Sequence, residues 1–346
     1  MTSLPSEQEK SPQRPANLQK HLSVFQRASR GKSIWQLCNT LIPYFALWGM
    51  SWWCLQISFW LALPCMIVTS GFTIRSFILF HDCGHQAFFR SRRANDFWGR
   101  ITGMLTFTPY YYWHASHARH HATSANLDKR GFGDVWMMTV DEYMESSRGM
   151  RLKYRLYRHP VVMFLLGPLL ITLVSHRMVR AGSNRRERNS VWLTNLAILG
   201  YALGLCALVG WQAYLIIQFC TLFFALMAGV WLFYVQHQFE GVYWERDGDW
   251  DFMTASLEGG SFYQLPRVLA WFTGNIGYHH VHHLNPRIPN YNLPKCHKEI
   301  PKLQQITPVR LFTSLKSLRF RLWDEKRRVM VGFSALRRKQ QYPTEA

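Results

Sequence analysis

Ten of the 15 histidines in this 346-residue chain fall in three short clusters. The first is His81-Asp82-Cys83-Gly84-His85. The second begins at His114 and continues as His117-Ala118-Arg119-His120-His121, and the third is His279-His280-Val281-His282-His283. His81 and His85 stand at i and i+4, which places both on one face of a helix. His117, His120 and His121 stand at i, i+3 and i+4, and His279, His282 and His283 repeat that spacing. Three imidazoles on one helical face make poor packing material, because every ring brings two nitrogens that need partners. Neutral imidazole is, however, a ligand for iron, zinc and copper. With His237, a further histidine between the second and third clusters, the set offers nine donors: His81, His85, His117, His120, His121, His237, His279, His282 and His283. That divides naturally over two metals at four or five each and is too many for one tetrahedral zinc. The Glu-x-x-His pattern of soluble di-iron bundles does not occur. Redox chemistry with dioxygen suits such a donor set better than hydrolysis does, but spacing does not choose the element.

What positions these clusters is written in the charge distribution. From Ser33 to Phe80 the only charge is Arg75, and from Asn189 to Val235 there is none. A membrane span needs roughly 20 apolar residues, so each block fits a pair of spans. The expected spans are about 34–54 and 58–80, then about 191–209 and 213–235, with Gly210-Trp211-Gln212 as the second turn. Trp48, Trp52 and Trp53 suit an interfacial belt at the end of the first span. The segments outside these blocks are basic, and under the positive-inside rule all of them are cytoplasmic. The histidine clusters map to that same side, although they played no part in setting the topology. The net charge of +20 is therefore first a matter of orientation and second of affinity for anionic lipid, and a nucleic-acid partner is not expected. Mean hydropathy of −0.12 is an average over two populations.

Two shorter apolar stretches, about 160–175 and 97–112, read as interfacial or re-entrant helices. Residues 1–32, rich in Pro, Ser, Gln and Lys, read as disordered. Residues 33–300 read as the membrane domain with its cap, and 301–346 as a basic tail in which Leu311, Leu315 and Leu318 share one face of an interfacial helix. The seven cysteines are scattered, with no Cys-x-x-Cys, which argues against a disulfide framework or an iron–sulfur site. The fold class expected is an all-α membrane protein: four spans in two hairpins, interfacial helices, and a cytoplasmic histidine-rich cap holding a di-metal centre.

The boxes HDCGH, HARHH and HHVHH, in this order around two hairpins, resemble the integral-membrane fatty acid desaturases. The longer motifs HDCGHQAFFRSRRAN, HARHHATSANLDKRGFGDVW, GVWLFYVQHQFE, GNIGYHHVHHLNPRIPNYNL and SLRFRLWDE are similar to the bacterial acyl-lipid desaturases of the delta-5 type, over about residues 30–335. The resemblance implies a non-haem di-iron centre with dioxygen as co-substrate. Its ligands would be the eight box histidines, with His237 as the additional ligand between boxes two and three. It implies formation of a cis double bond in a saturated acyl chain, carried by membrane phospholipids, in the inner cytoplasmic membrane. Electrons would come from a separate ferredoxin or flavodoxin, since the chain has no Cys cluster, no GxGxxG loop and no fused cytochrome motif.

Two departures stand out. Where acyl-CoA desaturases have an Asn four residues before the extra histidine, this chain has Phe233; Asn275, four residues before His279, is an alternative. His280 and His114 have no motif role and are expected outside the ligand set. Asp82, Asp128, Asp134, Glu240 and Glu258 are candidates to orient ligand rings through their far nitrogens. The competing readings are a hydroxylase or ketolase on the same scaffold, and a histidine-rich metal transporter. The latter requires ionisable residues along the spans, and the nearly charge-free blocks, with Arg75 alone, speak against it.

Overall fold

The computed structural model describes residues 16–131 and 133–336. Fourteen α-helices appear among the described residues. A short α1 (Ala16–Ser23) leads into the first long hairpin, α2 (Arg30–Leu55) and α3 (Phe59–Gly84). Then come α4 (Arg92–Leu105) and α5 (Tyr110–Thr123), followed by α6 (Val140–Glu145), α7 (Arg148–Tyr157) and α8 (Gly167–Leu173). The second long hairpin is α9 (Arg185–Val209) with α10 (Trp211–His237). Four short helices complete the set: α11 (Phe252–Glu258), α12 (Arg267–Phe272), α13 (His279–Leu284) and α14 (Leu293–Glu299).

The long helices end where their sequence dictates. Ser58 caps α3, its hydroxyl accepting from the Trp60 N–H at 3.2 Å, and so closes the first hairpin over three residues. The second turn is Gly210 alone, at φ +85°, a left-handed conformation that a Cβ would penalise. Trp211 and Gln212, expected to belong to the turn, already form the first turn of α10. Helices α3, α9 and α10 are long and apolar enough to cross a membrane. Helix α2 matches them in length at 26 residues, about 39 Å. It is less apolar because Gln36, Thr40 and Ser51 lie buried along it; its Ile42, Phe45 and Trp53 face outward. Helix α9 presents Leu193, Leu196, Leu199, Leu203 and Leu208 outward, the surface a bilayer covers. The expected span 58–80 is extended to Gly84, which carries His81 on the last turn of α3.

The stretch 160–175 contains a π-turn, Val162–Leu166, and α8. It bends by 62° from the axis of α7, in keeping with a segment that does not simply cross. The stretch 97–112 is divided: α4 stops at Leu105, Phe107 takes φ +56°, and α5 starts at Tyr110.

Above the helix ends lies a cap with little strand. Strand β1 (Met138–Thr139) pairs in parallel with β4 (Leu322–Asp324), which pairs antiparallel with β5 (Val329–Val331). Strand β2 (Phe262–Gln264) pairs in parallel with β3 (Pro308–Arg310). The chain beyond Pro301 is thus part of the folded cap as far as Leu336. Leu303, Leu322 and Trp323 are buried, and the fully buried Arg158 donates to the Phe320 carbonyl at 2.8 Å and to Gln238 Oε1 at 3.1 Å. Thr313–Arg319 is a 3₁₀ helix, not the expected α-helix; Leu311 and Leu318 pack on the core while Leu315 stays exposed. The expected disorder of residues 1–32 does not extend over 16–32, where Leu22 and Phe25 are buried anchors. Residues 1–15 and 337–346, parts of the expected N-terminal and C-terminal tails, lie outside the described residues. The main core cluster joins Ile78 of α3, Leu232 and Val235 of α10, and Val281 and Leu284 of α13. It fixes the helix ends that carry histidines against one another.

Candidate metal centre

The nine histidines singled out by spacing converge, and they do so as two groups. His81, His85, His117, His121 and His282 form one; His120, His237, His279 and His283 form the other. Within each group one ring nitrogen from every residue lies within 4.8 Å of all the rest. Box spacing explains the partition. His117 and His121 are one turn apart on α5 and face one group, and His120, rotated from them by a residue, faces the other. On α13, His279 and His283 face one way and His282 the opposite way. Helix α5 and helix α13 therefore each contribute to both groups, while α3 serves only the first and α10 only the second.

Ring chemistry tests whether a cation fits. His237 Nδ1 lies 3.2 Å from the Gly259 carbonyl oxygen, which only accepts, so Nδ1 carries the hydrogen and Nε2 is a bare lone pair. His120 Nδ1 donates to Asp134 Oδ1 at 2.6 Å, which bares its Nε2 as well. These two bare nitrogens stand 3.1 Å apart, and His279 Nε2 is 2.8 Å from that of His237. In the other group His121 Nε2 faces His117 Nε2 at 3.1 Å and His282 Nε2 at 3.0 Å. The bare lone pairs of His120 and His237, aimed at one another across such a distance, repel unless a shared positive charge holds them. Burial first, and then the neighbouring imidazoles, hold His85, His117, His121, His279, His282 and His283 well below the ordinary 6.5. Their neutral, ligating form is the one present at pH 7. The donor set fits two metal ions.

A cavity of about 270 Å³ abuts His81 and His117 of the first group and His279 of the second. Most of its wall is apolar, including Phe77 and Ile78 of α3 and Leu226, Val230 and Phe233 of α10. Pro168, Ile171 and Thr172, from the bent segment after α7, complete it, which gives the 160–175 stretch a place in the site that its composition alone did not reveal. Phe233 packs its ring 5.5 Å from that of His120 and 5.1 Å from that of His237. It is a wall of this cavity.

The other sequence candidates separate cleanly. Asp134 and Asp82 touch ligand rings: Asp82 Oδ1 is 3.3 Å from His81 Nδ1, and its Oδ2 accepts from the Asn290 N–H at 2.7 Å and Nδ2 at 2.8 Å. Asp128 instead binds Arg246, at 2.6 Å, and Glu240 faces Lys316 on the surface, at 3.4 Å. Asn275 lines a different cavity. His280 turns away and meets His297 at 3.1 Å, and His114 belongs to neither group. Gly259 and Asn290 were not foreseen. Asn290 lies within the long third motif, whereas a carbonyl such as that of Gly259 leaves no trace in residue type.

The family model described as "Fatty acid desaturase" matches residues 57–310. A fatty acid desaturase of Bacillus subtilis (strain 168) is 48% identical over 320 residues, covering 92% of this chain and 91% of its own. An sn-1 oleoyl-lipid 12-desaturase of Synechocystis sp. is 26% identical, covering 74% of this chain and 71% of its own. An sn-1 acyl-lipid omega-3 desaturase (ferredoxin) of the same genus is 25% identical, covering 70% and 68%.

Proposed function

The chain belongs to the fatty acid desaturase family and is a membrane-bound oxidoreductase acting on fatty acyl chains, and on that premise we propose that it binds two iron ions through nine histidines. His81, His85, His117, His121 and His282 hold one; His120, His237, His279 and His283 hold the other. The observation that carries this reading is the division of the nine rings into groups of five and four with bare nitrogens converging.

Iron bound there supplies activation of dioxygen and removal of two hydrogens from neighbouring methylenes, with oxygen leaving as water. The protein supplies the rest. Asp134 and the Gly259 carbonyl fix the tautomers of His120 and His237. The apolar cavity admits an acyl chain, excludes water, and sets one pair of carbons against His81, His117 and His279. Regiochemistry is then a distance along that cavity, and the delta-5 position is assigned by resemblance.

The substrate is a saturated acyl chain on a membrane phospholipid, in keeping with the acyl-lipid names of the cyanobacterial relatives, and the product is cis. Reducing equivalents come from ferredoxin or flavodoxin; the printed name of one relative carries the former. Both termini and the metal groups lie on the cytoplasmic face of the cytoplasmic membrane, a reading that the basic segments support. Residues 33–300 carry all nine histidines and the lining of the acyl cavity.

The test is expression in a host lacking desaturases, followed by mass spectrometry of phospholipids and acyl thioesters. The expected product has lost two hydrogens and appears on phospholipid. A product that has gained oxygen would overturn the desaturation step.

A further inference from the structure

A second cavity, about 510 Å³, lies where the start of α2, the middle of α3 and α12 meet. Its charged lining is all of one sign. Lys32, Arg75 and Arg267 line it, and no Asp or Glu does. Among the described residues none of these three cations forms an ion pair. Arg75 is also immobile. It is 2% exposed, donates through Nε to Thr40 Oγ1 at 3.0 Å and through Nη1 to the Trp271 carbonyl. Its guanidinium carbon sits 3.9 Å from the Trp271 ring centroid. A fixed guanidinium with neutral partners only, beside two further cations, is a site whose missing component is an anion.

The surroundings say where that anion comes from. Trp35, Val268, Leu269 and Trp271 are exposed or half-exposed around the cavity. On a membrane-spanning chain such residues face lipid, and tryptophan prefers the headgroup layer. Helix α12 is pressed against α3: a Cβ at Gly71 would come within 2.8 Å of the Phe272 ring. Basic pockets between spanning helices at this depth take lipid headgroups. We propose that this cavity binds the phosphodiester headgroup of an anionic glycerophospholipid from the adjoining leaflet, at a site separate from the acyl cavity and from the metal groups.

The two cavities share a partition. Asn275, Gly277 and Tyr278 line the basic one, while Ile276 and His279 line the acyl one. Gln236, the residue before His237, donates to the Ile276 carbonyl at 3.0 Å. A headgroup seated against this loop braces the segment that delivers His279. The inference goes beyond the desaturase reading and is tested without turnover.

Purified full-length protein is titrated with phosphatidylglycerol, phosphatidylcholine or soluble glycerol 3-phosphate, and retention is read by native mass spectrometry beside iron content. Phosphatidylglycerol should be retained at one per chain, ahead of phosphatidylcholine. Lys32→Gln and Arg267→Gln should each weaken retention about fivefold, and the pair more than tenfold, with iron unchanged. The exposed pair decides the matter even if Arg75→Gln fails to fold. Undiminished phosphatidylglycerol retention by the double variant would overturn the site. Equal retention of phosphatidylcholine, or displacement by glycerol 3-phosphate at matching concentration, would overturn the anionic-lipid assignment. Failure of the product assay above would leave these binding results standing.

Discussion

Five imidazoles gather in one group and four in the other, and the smaller group is the better braced. In the four-histidine group His120 donates to Asp134 at 2.6 Å, and His237 donates to the Gly259 carbonyl at 3.2 Å. In the five-histidine group only His81 has a carboxylate near its far nitrogen, Asp82 at the longer distance of 3.3 Å. The far nitrogens of His121 and His282, and that of His279 in the smaller group, are buried with no hydrogen-bonding residue among those described, so the bracing of the smaller group rests on His120 and His237. The two halves would thus secure a metal by different means. One relies on an additional donor, so that no single ring needs a fixed orientation. The other relies on outer acceptors that hold tautomer and ring plane before the metal arrives.

If that contrast is real, removing a donor should cost the two groups unequally. His120→Ala leaves three donors where there were four and frees Asp134 inside the site. Iron per chain should fall by half and desaturated product below detection. His85→Ala leaves four donors in the larger group; iron should stay near the wild-type level, with activity reduced by one to two orders of magnitude. Metal analysis of both purified variants, with product analysis of the host lipids, reads the difference. Equal loss of iron would abolish the distinction between redundancy and bracing.

The outer residues sharpen it further. Asp134→Ala removes the acceptor that fixes His120 and should lower metal affinity of the four-histidine group by about 10–100-fold. Asp82→Ala should cost the five-histidine group less than tenfold, because the remaining four donors do not depend on it. Asp82 also accepts both Asn290 N–H groups, so Asp82→Ala should still lower the melting temperature. Titration of the metal-free variants with ferrous iron measures the affinities, and a thermal melt separates the structural share.

Much of this architecture is legible in the sequence, and the limits are physical. The nine donors are readable because imidazole is conspicuous and helical spacing is local. Both hairpins are readable because a bilayer disfavours charge: one block of 48 residues holds Arg75 alone and another of 47 holds none. The partition into five and four depends on how α5 and α13 are turned toward α3 and α10, a tertiary fact. Asp134 was one of five candidate carboxylates, and nothing in its spacing set it apart from Asp128, six residues earlier, which binds Arg246 instead. Strands β3 and β4 are three residues long and pair with partners far away in sequence, so no periodicity announced them. The burial of Arg158 between α10 and the Phe320 carbonyl is invisible for the same reason. Arg158→Met should destabilise the cap by about 3 kcal/mol, since it strands buried acceptors on both sides.

The smallest expected effect comes from the frame around the loop that carries Asp134. Arg246 joins Asp128 at 2.6 Å, Glu325 at 2.8 Å and Glu142 at 3.6 Å; Arg130 also pairs with Glu142, at 2.5 Å. Each of these groups is partly open to water, Arg246 with a side-chain exposure of 40%. Solvent therefore screens both the attraction and the repulsion left among the carboxylates when Arg246 is removed. Arg246→Gln should cost about 1 kcal/mol or less, and less still at high ionic strength, as thermal melts at two salt concentrations would show. Iron in the four-histidine group should be unchanged, because the short contact between His120 and Asp134 is buried and does not pass through this network. Should Arg246→Gln instead empty that group as thoroughly as Asp134→Ala, the bracing of His120 would belong to the whole loop and not to one carboxylate. The difference between the two halves would then be one of loop rigidity.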